Sequence, residues 1–147
     1  MKLQKTKAHQ LYEQALRDKH LWPVIAHGSA GTGKTFGGVG AAIEWLNGNK
    51  SRKVVVIRPN ESFCKTLGFL QGGLRQKLEP WVRSVEGCFI EQGVGKSQLQ
   101  MLEKQGRIEY VALEYVQGLS FHDTFVIVDE CQNMDFGSLK VLLTRIG

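Results

Sequence analysis

Residues 28 to 35 read Gly-Ser-Ala-Gly-Thr-Gly-Lys-Thr, directly after the short apolar stretch Val24-Ile25-Ala26. Few backbone arrangements suit such a run. Small residues let successive N–H groups curl around an anion, and a helix opening at the lysine adds the positive end of its dipole to the same concavity. The run fits the phosphate-loop pattern G-x-x-x-x-G-K-[ST] at every defined position. It therefore constrains this part of the chain to a strand, a loop and a helix, and points to a nucleoside triphosphate as ligand. Gly28, Ser29, Ala30, Gly31, Thr32 and Gly33 would cradle the phosphates, Lys34 would reach the β- and γ-phosphates, and Thr35 would offer a hydroxyl to Mg²⁺, which prefers hard oxygen ligands. The plain alternative is a glycine-rich turn with no ligand.

The pattern around the loop predicts an alternating α/β chain. Leu11, Tyr12, Ala15 and Leu16 recur at helical spacing, so a helix is expected to end before His20. Pro23 separates it from a strand over Val24–Ala26, and a second helix is expected from about Lys34 to Leu46, closed by Asn47-Gly48. Gly37, Gly38 and Gly40 are poor helix formers, each costing about 1 kcal/mol relative to Ala, and close packing of the helix on a sheet would account for them. Lys53–Arg58 is a continuous β-branched run ended by Pro59, the signature of a buried parallel strand. Leu74, Leu78, Trp81, Val82 and Val85 share one helical face, with Pro80 expected to kink or split the helix. Ser97 and Gln100 read as a capping box before a helix that Gly106 stops. Strands are expected at Ile108–Ala112 and Phe125–Val128, and a last helix carries Leu139, Leu142, Leu143 and Ile146.

At 147 residues the chain suits a single domain with a sizeable core. Its 42% hydrophobic and 22% charged content is that of a folded globular protein. No apolar run approaches the roughly 20 residues that span a bilayer, and the basic N-terminus does not lead into an apolar segment, so the reading is a cytoplasmic protein with no membrane partner. Cys64, Cys88 and Cys131 lack metal-ligand spacing and read as reduced thiols. The net charge of +5 gives a mild bias toward polyanions. Lys2, Lys5, Lys7, Arg17 and Lys19 cluster near the start, either as a solvated face or as a nucleic-acid contact.

A second chemical site follows the strand Phe125–Val128, which ends in Asp129 and Glu130. Asp129 would bind Mg²⁺ directly or through its waters, and Glu130 would orient or deprotonate the water attacking the γ-phosphate. Many strands end in acidic turns. With a complete phosphate loop upstream, the pair reads as the acidic half of a nucleotide-hydrolysing site.

Taken together, Gly28–Thr35, Arg58-Pro59, Leu67-Gly68-Phe69-Leu70-Gln71-Gly72, Ile108-Glu109, Val128-Asp129-Glu130-Cys131-Gln132-Asn133 and Leu143-Thr144-Arg145-Ile146-Gly147 resemble the PhoH-like ATPases, phosphate-loop proteins related to the motor core of superfamily 1 helicases. The resemblance runs from Gln10 to Gly147. It implies a RecA-like three-layer α/β/α core with a parallel sheet, ATP and Mg²⁺ as ligands, and RNA or single-stranded DNA as partner. By this resemblance Gln10 looks like the glutamine that reads adenine, the alternative being a solvated helix residue. Arg58 looks like the arginine placed where related motors touch a nucleic-acid backbone, or it makes a strand-end ion pair. Gln132 looks like the residue that couples the γ-phosphate to the bound strand. Arg145 is assigned to the phosphates, to nucleic acid or to a structural ion pair.

The chain also departs from the family pattern. Where the family tends to read Y-M-R-G-R-T, Tyr115-Val116-Gln117-Gly118-Leu119-Ser120 lacks both arginines, which removes two cations from a loop that would contact phosphate or RNA. Family members continue beyond L-T-R-I-G into a further strand and a G-D-x-x-Q segment. Residues 1–147 are accordingly expected to form one domain, incomplete at its C-terminus and lacking its last strands. The sheet is then expected to have a gap between the phosphate-loop strand and the Asp129 strand, unless the two pair directly or another chain fills it. The resulting expectation is an ATP-binding, Mg²⁺-dependent ATPase acting with nucleic acid and needing an oligomer or partner chain for productive movement. The alternatives are a non-catalytic nucleotide-binding module and, disfavoured by the D-E-x-Q-N context, a small-molecule phosphotransferase.

Overall fold

Four successive β-branched residues, Val54 to Ile57, can lose their water only where a sheet is covered on both faces, and that is the place they occupy. The computed structural model describes residues 5–59 and 74–146, with the backbone alone for residues 74–77. Its helices are α1 (Lys7–Arg17), α2 (Lys34–Gly48), α3 (Leu74–Glu91), α4 (Lys96–Lys104) and α5 (Phe136–Leu143), and its strands are β1 (Lys53–Arg58), β2 (Ile108–Ala112) and β3 (Thr124–Val128). Short 3₁₀ turns cover Leu113–Gly118 and Cys131–Asn133. The three strands form one parallel sheet in the order β2-β1-β3, with Val54 opposite both Ile108 and Phe125.

Alternation along β1 divides the core in two. Val54 and Val56 face α2, α3 and α4, packing with Val39, Ala42, Val85 and Phe89. Val55 and Ile57 face the other way, onto Val116, Phe121 and Leu142. The result is a three-layer α/β/α arrangement. Each fully buried Val or Ile side chain contributes about 1.5–3 kcal/mol, so β1, with four such residues, is strongly anchored. No described helix is long and apolar enough to cross a membrane.

The expected strand at Val24–Ala26 does not form: this segment joins no sheet, and Ile25 is 78% exposed. β1 has β2 on one side and β3 on the other, so it has no edge left for a further strand. The outer edge of β3 takes up no strand from Val24–Ala26 either, so direct pairing of the phosphate-loop segment with the Asp129 strand does not occur. Every residue of β3 is only half-buried. Near its start, Phe121 makes an isolated parallel bridge to Ile146.

Three local expectations are also corrected. Helix α3 runs unbroken through Pro80, so the proline does not split it. Helix α4 starts at Lys96 behind Gly95 with no side-chain cap, so Ser97 and Gln100 form no capping box. The helix glycines make room chiefly for side chains of other elements: a Cβ on Gly37 would stand 2.7 Å from the Tyr12 ring and one on Gly40 2.7 Å from Gln92 Oε1, while Gly38 alone also meets the sheet, at Ile127.

Candidate nucleotide site

The loop between Gly28 and Lys34 needs left-handed backbone at Gly31 (φ 75°) and Gly33 (φ 82°), a conformation costly for any residue with a side chain. Gly33 is the N-cap of α2 and has no side-chain cap, so the first N–H groups of the helix point into the loop without such a partner. Lys34 lies across the concavity. Its Nζ donates to the carbonyls of Gly28 at 2.8 Å and Ser29 at 2.7 Å. An ammonium held by neutral carbonyl and hydroxyl oxygens, here Gly28, Ser29 and Thr32, exchanges them readily for phosphate oxygens, with which its hydrogen bonds are charge-assisted on both sides.

The N-terminal helix braces the back of this loop. Thr6 caps α1, and its backbone N–H donates to His9 Nδ1 at 3.2 Å. With Nδ1 accepting, Nε2–H donates to the Thr32 carbonyl at 2.8 Å. One turn on, the Tyr12 hydroxyl donates to the Lys34 carbonyl at 3.1 Å, and burial pushes its phenol pKa up. Arg17 closes the interface with a pair of hydrogen bonds to Glu44 of α2. Of the basic cluster near the start, Arg17 is thus engaged with Glu44 and Lys5 with Glu13, while Lys2 lies outside the described residues. Gln10 is exposed on α1, next to His9.

The acidic end of β3 meets the loop directly. The Asp129 N–H donates to the Ile57 carbonyl, extending the ladder one residue past the strand, and Asp129 Oδ1 accepts from the Thr35 hydroxyl at 3.1 Å across 94 residues of sequence. Its other oxygen, Oδ2, accepts from the indole Nε1 of Trp81 at 2.9 Å. Trp81 is 4% exposed, and its ring meets Tyr110 edge-on, with centroids 6.2 Å apart. The Arg58 guanidinium stands 5.9 Å from the Trp81 ring centroid, so the end of β1 shares this corner with Asp129. Burial, with smaller contributions from Glu91 and Asp129, pushes the nearby Cys88 thiol up.

The donors present suit a magnesium ion. Among the described residues no group of three or more His, Cys, Asp or Glu gathers; Thr35 and Asp129 would offer such an ion one hydroxyl and one carboxylate, with water and phosphate completing the shell. Glu130 differs from its neighbour. It is exposed, adopts a left-handed φ of 55°, and its carboxylate accepts from the Gln132 side chain. Arg145 follows α5 at the far end of the sheet, its carbonyl paired with the Phe121 N–H. β3 alone, at about 3.3 Å per residue, spans roughly 16 Å between that end and Asp129. Lys34, Thr35, Asp129 and Arg58 therefore share the C-terminal edge of the strands, and Arg145 does not.

A family model described as PhoH-like protein matches residues 3–147. This chain belongs to the PhoH-like family. It is 34% identical over 143 residues to a PhoH-like protein of Bacillus subtilis, covering 97% of this chain and 44% of that protein. It is 38% identical over 120 residues to a PhoH-like protein of Synechocystis, covering 82% and 36%. Protein PhoH of Escherichia coli is 32% identical over 146 residues, covering 99% and 41%. The chain thus spans about two fifths of the length of the curated relatives it matches.

Family membership fits the placement of the D-E-x-Q-N segment at the end of β3, facing the loop. The L-G-F-L-x-G segment and Cys64 lie outside the described residues. Tyr115–Gly118 falls in the 3₁₀ turn on the second face of the sheet, with Gln117 exposed where the family pattern has arginine. Three site residues escaped the sequence reading: His9, Tyr12 and Trp81. Tyr12 and Trp81 sit at helical spacing with apolar neighbours and read as core. The available signal was that a buried Tyr or Trp needs a partner for its polar atom.

Proposed function

We propose that this PhoH-like chain binds ATP with Mg²⁺ and hydrolyses it, in a manner coupled to RNA or single-stranded DNA. The observation that carries the reading is the 3.1 Å contact between Thr35 Oγ1 and Asp129 Oδ1, which brings the two motif halves to one point. Lys34 would leave the Gly28 and Ser29 carbonyls for the β- and γ-phosphates. The open N–H groups at the start of α2 would face the same charge. Thr35 and Asp129 would hold Mg²⁺, which when bound neutralises the charge that develops on the phosphates. Glu130, kept at hand by Gln132, would orient the attacking water and take its proton, so that catalysis comes from positioning and electrostatics. Gln10, exposed beside the His9 brace, is the proposed adenine contact, and Arg58 the proposed nucleic-acid contact nearest the phosphates. Directional work on a strand would further require a second copy or a partner chain.

A nucleotide-binding module without turnover is the competing reading, and the exposure of Glu130 favours it. Titration of the purified protein with Mg²⁺-ATP tests the first half of the proposal. Lys34→Ala is expected to weaken affinity about a hundredfold or more, since two charge-assisted hydrogen bonds are worth roughly 1.5–3 kcal/mol each. Unchanged affinity in that variant sinks the assignment. Binding without phosphate release, both alone and with RNA, decides for the module.

A further inference from the structure

We propose that Trp81 is a positioning residue for the metal-binding carboxylate: its indole N–H holds Asp129 Oδ2 so that Oδ1 is presented to Thr35 and to the ion. The inference rests on the function proposed above and adds a residue that no motif contains. Two observations carry it. The indole nitrogen lies 2.9 Å from Oδ2, while the Thr35 hydroxyl lies 3.1 Å from Oδ1, so each oxygen of Asp129 has a separate long-range donor. The ring itself is fixed, being 4% exposed, set edge-on against Tyr110 and flanked by the Arg58 guanidinium.

The consequence follows from carboxylate geometry. A carboxylate that turns about its terminal torsion presents either oxygen, or both, to a cation, because that torsion is broad and roughly two-fold. A donor fixed on one oxygen removes the freedom. The remaining lone pairs of Oδ1 stay available, since an ionised carboxylate accepts about four hydrogen bonds. Partners of this kind, one step removed from a metal, typically change its affinity by about 10- to 100-fold when lost. A buried indole needs an acceptor in any fold. Here the acceptor is the carboxylate at the mouth of the loop, and that ties the packing of α3 to the site.

The test measures affinity for a fluorescent ATP analogue in Mg²⁺ and in EDTA, for the wild-type chain, Trp81→Phe, Asp129→Asn and the double variant. The wild type is expected to bind more tightly with Mg²⁺. Trp81→Phe is expected to reduce that Mg²⁺ increment about tenfold while leaving affinity in EDTA within about twofold. In the Asp129→Asn background the same change is expected to have no further effect, because the two residues act through one contact. A full increment in Trp81→Phe, or an equal loss in Mg²⁺ and EDTA, overturns the positioning role and leaves the proposed function standing. Absence of any increment in the wild type overturns both. If Trp81→Phe does not fold, NMR of the wild-type indole N–H decides. The Trp81 resonance is expected to move on adding Mg²⁺ with the analogue, and a stationary resonance in a chain that binds the complex overturns the inference.

Discussion

Asp129 and Glu130 are adjacent in sequence and belong to different physical settings. Asp129 is half-buried, and its two oxygens are tied to residues 94 and 48 positions away, on α2 and α3. Glu130 is exposed, in left-handed backbone, and its carboxylate is tied to a residue two positions on. The same chemical group is a long-range structural joint in one position and an exposed, locally bonded side chain in the other. Contacts that are both long-range and shielded fix geometry; exposed local ones leave a side chain free to take up a proton or a water.

The sharpest way to break this comparison is to change each carboxylate in turn. Glu130→Gln is expected to lower ATP turnover by about 10²–10⁴-fold. Its stability should stay within about 0.5 kcal/mol of wild type, as for a surface change. Asp129→Ala strands the Thr35 hydroxyl and the Trp81 N–H, so urea unfolding should show a loss of about 1–3 kcal/mol. Equal stability of the two variants would refute the contrast.

The glycines offer a second, smaller test. A Cβ at Gly37 meets the half-buried Tyr12 ring at 2.7 Å, whereas one at Gly87 in α3 meets nothing within 4 Å. Gly37→Ala is expected to destabilise by about 1–3 kcal/mol through overpacking, despite the gain in helix propensity. Gly87→Ala should instead stabilise by about 0.5–1 kcal/mol. Thermal unfolding of the pair reads out both signs, and a stabilised Gly37→Ala would show that the α1 brace is loose.

The smallest effect separates range from burial. Arg17 and Glu44 are 27 residues apart yet both more than half exposed. Hydrogen bonding to Arg17 draws the Glu44 carboxyl below its ordinary range, and depressed native values stabilise only while the group is charged. The contribution is therefore present above the ordinary carboxylate pKa and lost as pH falls through the lowered native value. Arg17→Met should cost under about 1 kcal/mol at pH 7, and less in high salt or acid. A loss as large as that of Asp129→Ala would mean that range, and not shielding, governs these contacts.

Much of this was legible in the sequence. Strand β1 is legible as a β-branched run, β2 as an alternation of Ile108, Tyr110 and Ala112 with their neighbours, and β3 as a short apolar run, and the loop and its acidic counterpart through residue type and spacing, because each feature depends on neighbours along the chain. Pro80 does not split α3, since a proline in the first part of a long helix removes one N–H without stopping the rest. Val24–Ala26 forms no strand because an apolar triplet becomes one only when a neighbouring strand pairs with it, and the triplet itself does not set that pairing. The glycines of α2 do mark close packing, but chiefly against Tyr12 of α1 and Gln92 just after α3, neighbours that no local pattern names.

The sequence by itself determined an α/β chain of the PhoH-like family, with Lys34 and Thr35 on a phosphate loop and Asp129 and Glu130 at a strand end. Only the tertiary structure decided that Asp129 touches Thr35, that Trp81 holds its other oxygen, that His9 and Tyr12 brace the loop, and that Arg145 stands at the opposite end of the sheet. The division has one physical cause. Backbone propensity and motif spacing act over a few residues, whereas the direction of a hydrogen bond across the core is set by crossover topology and by which buried polar atom needs a partner.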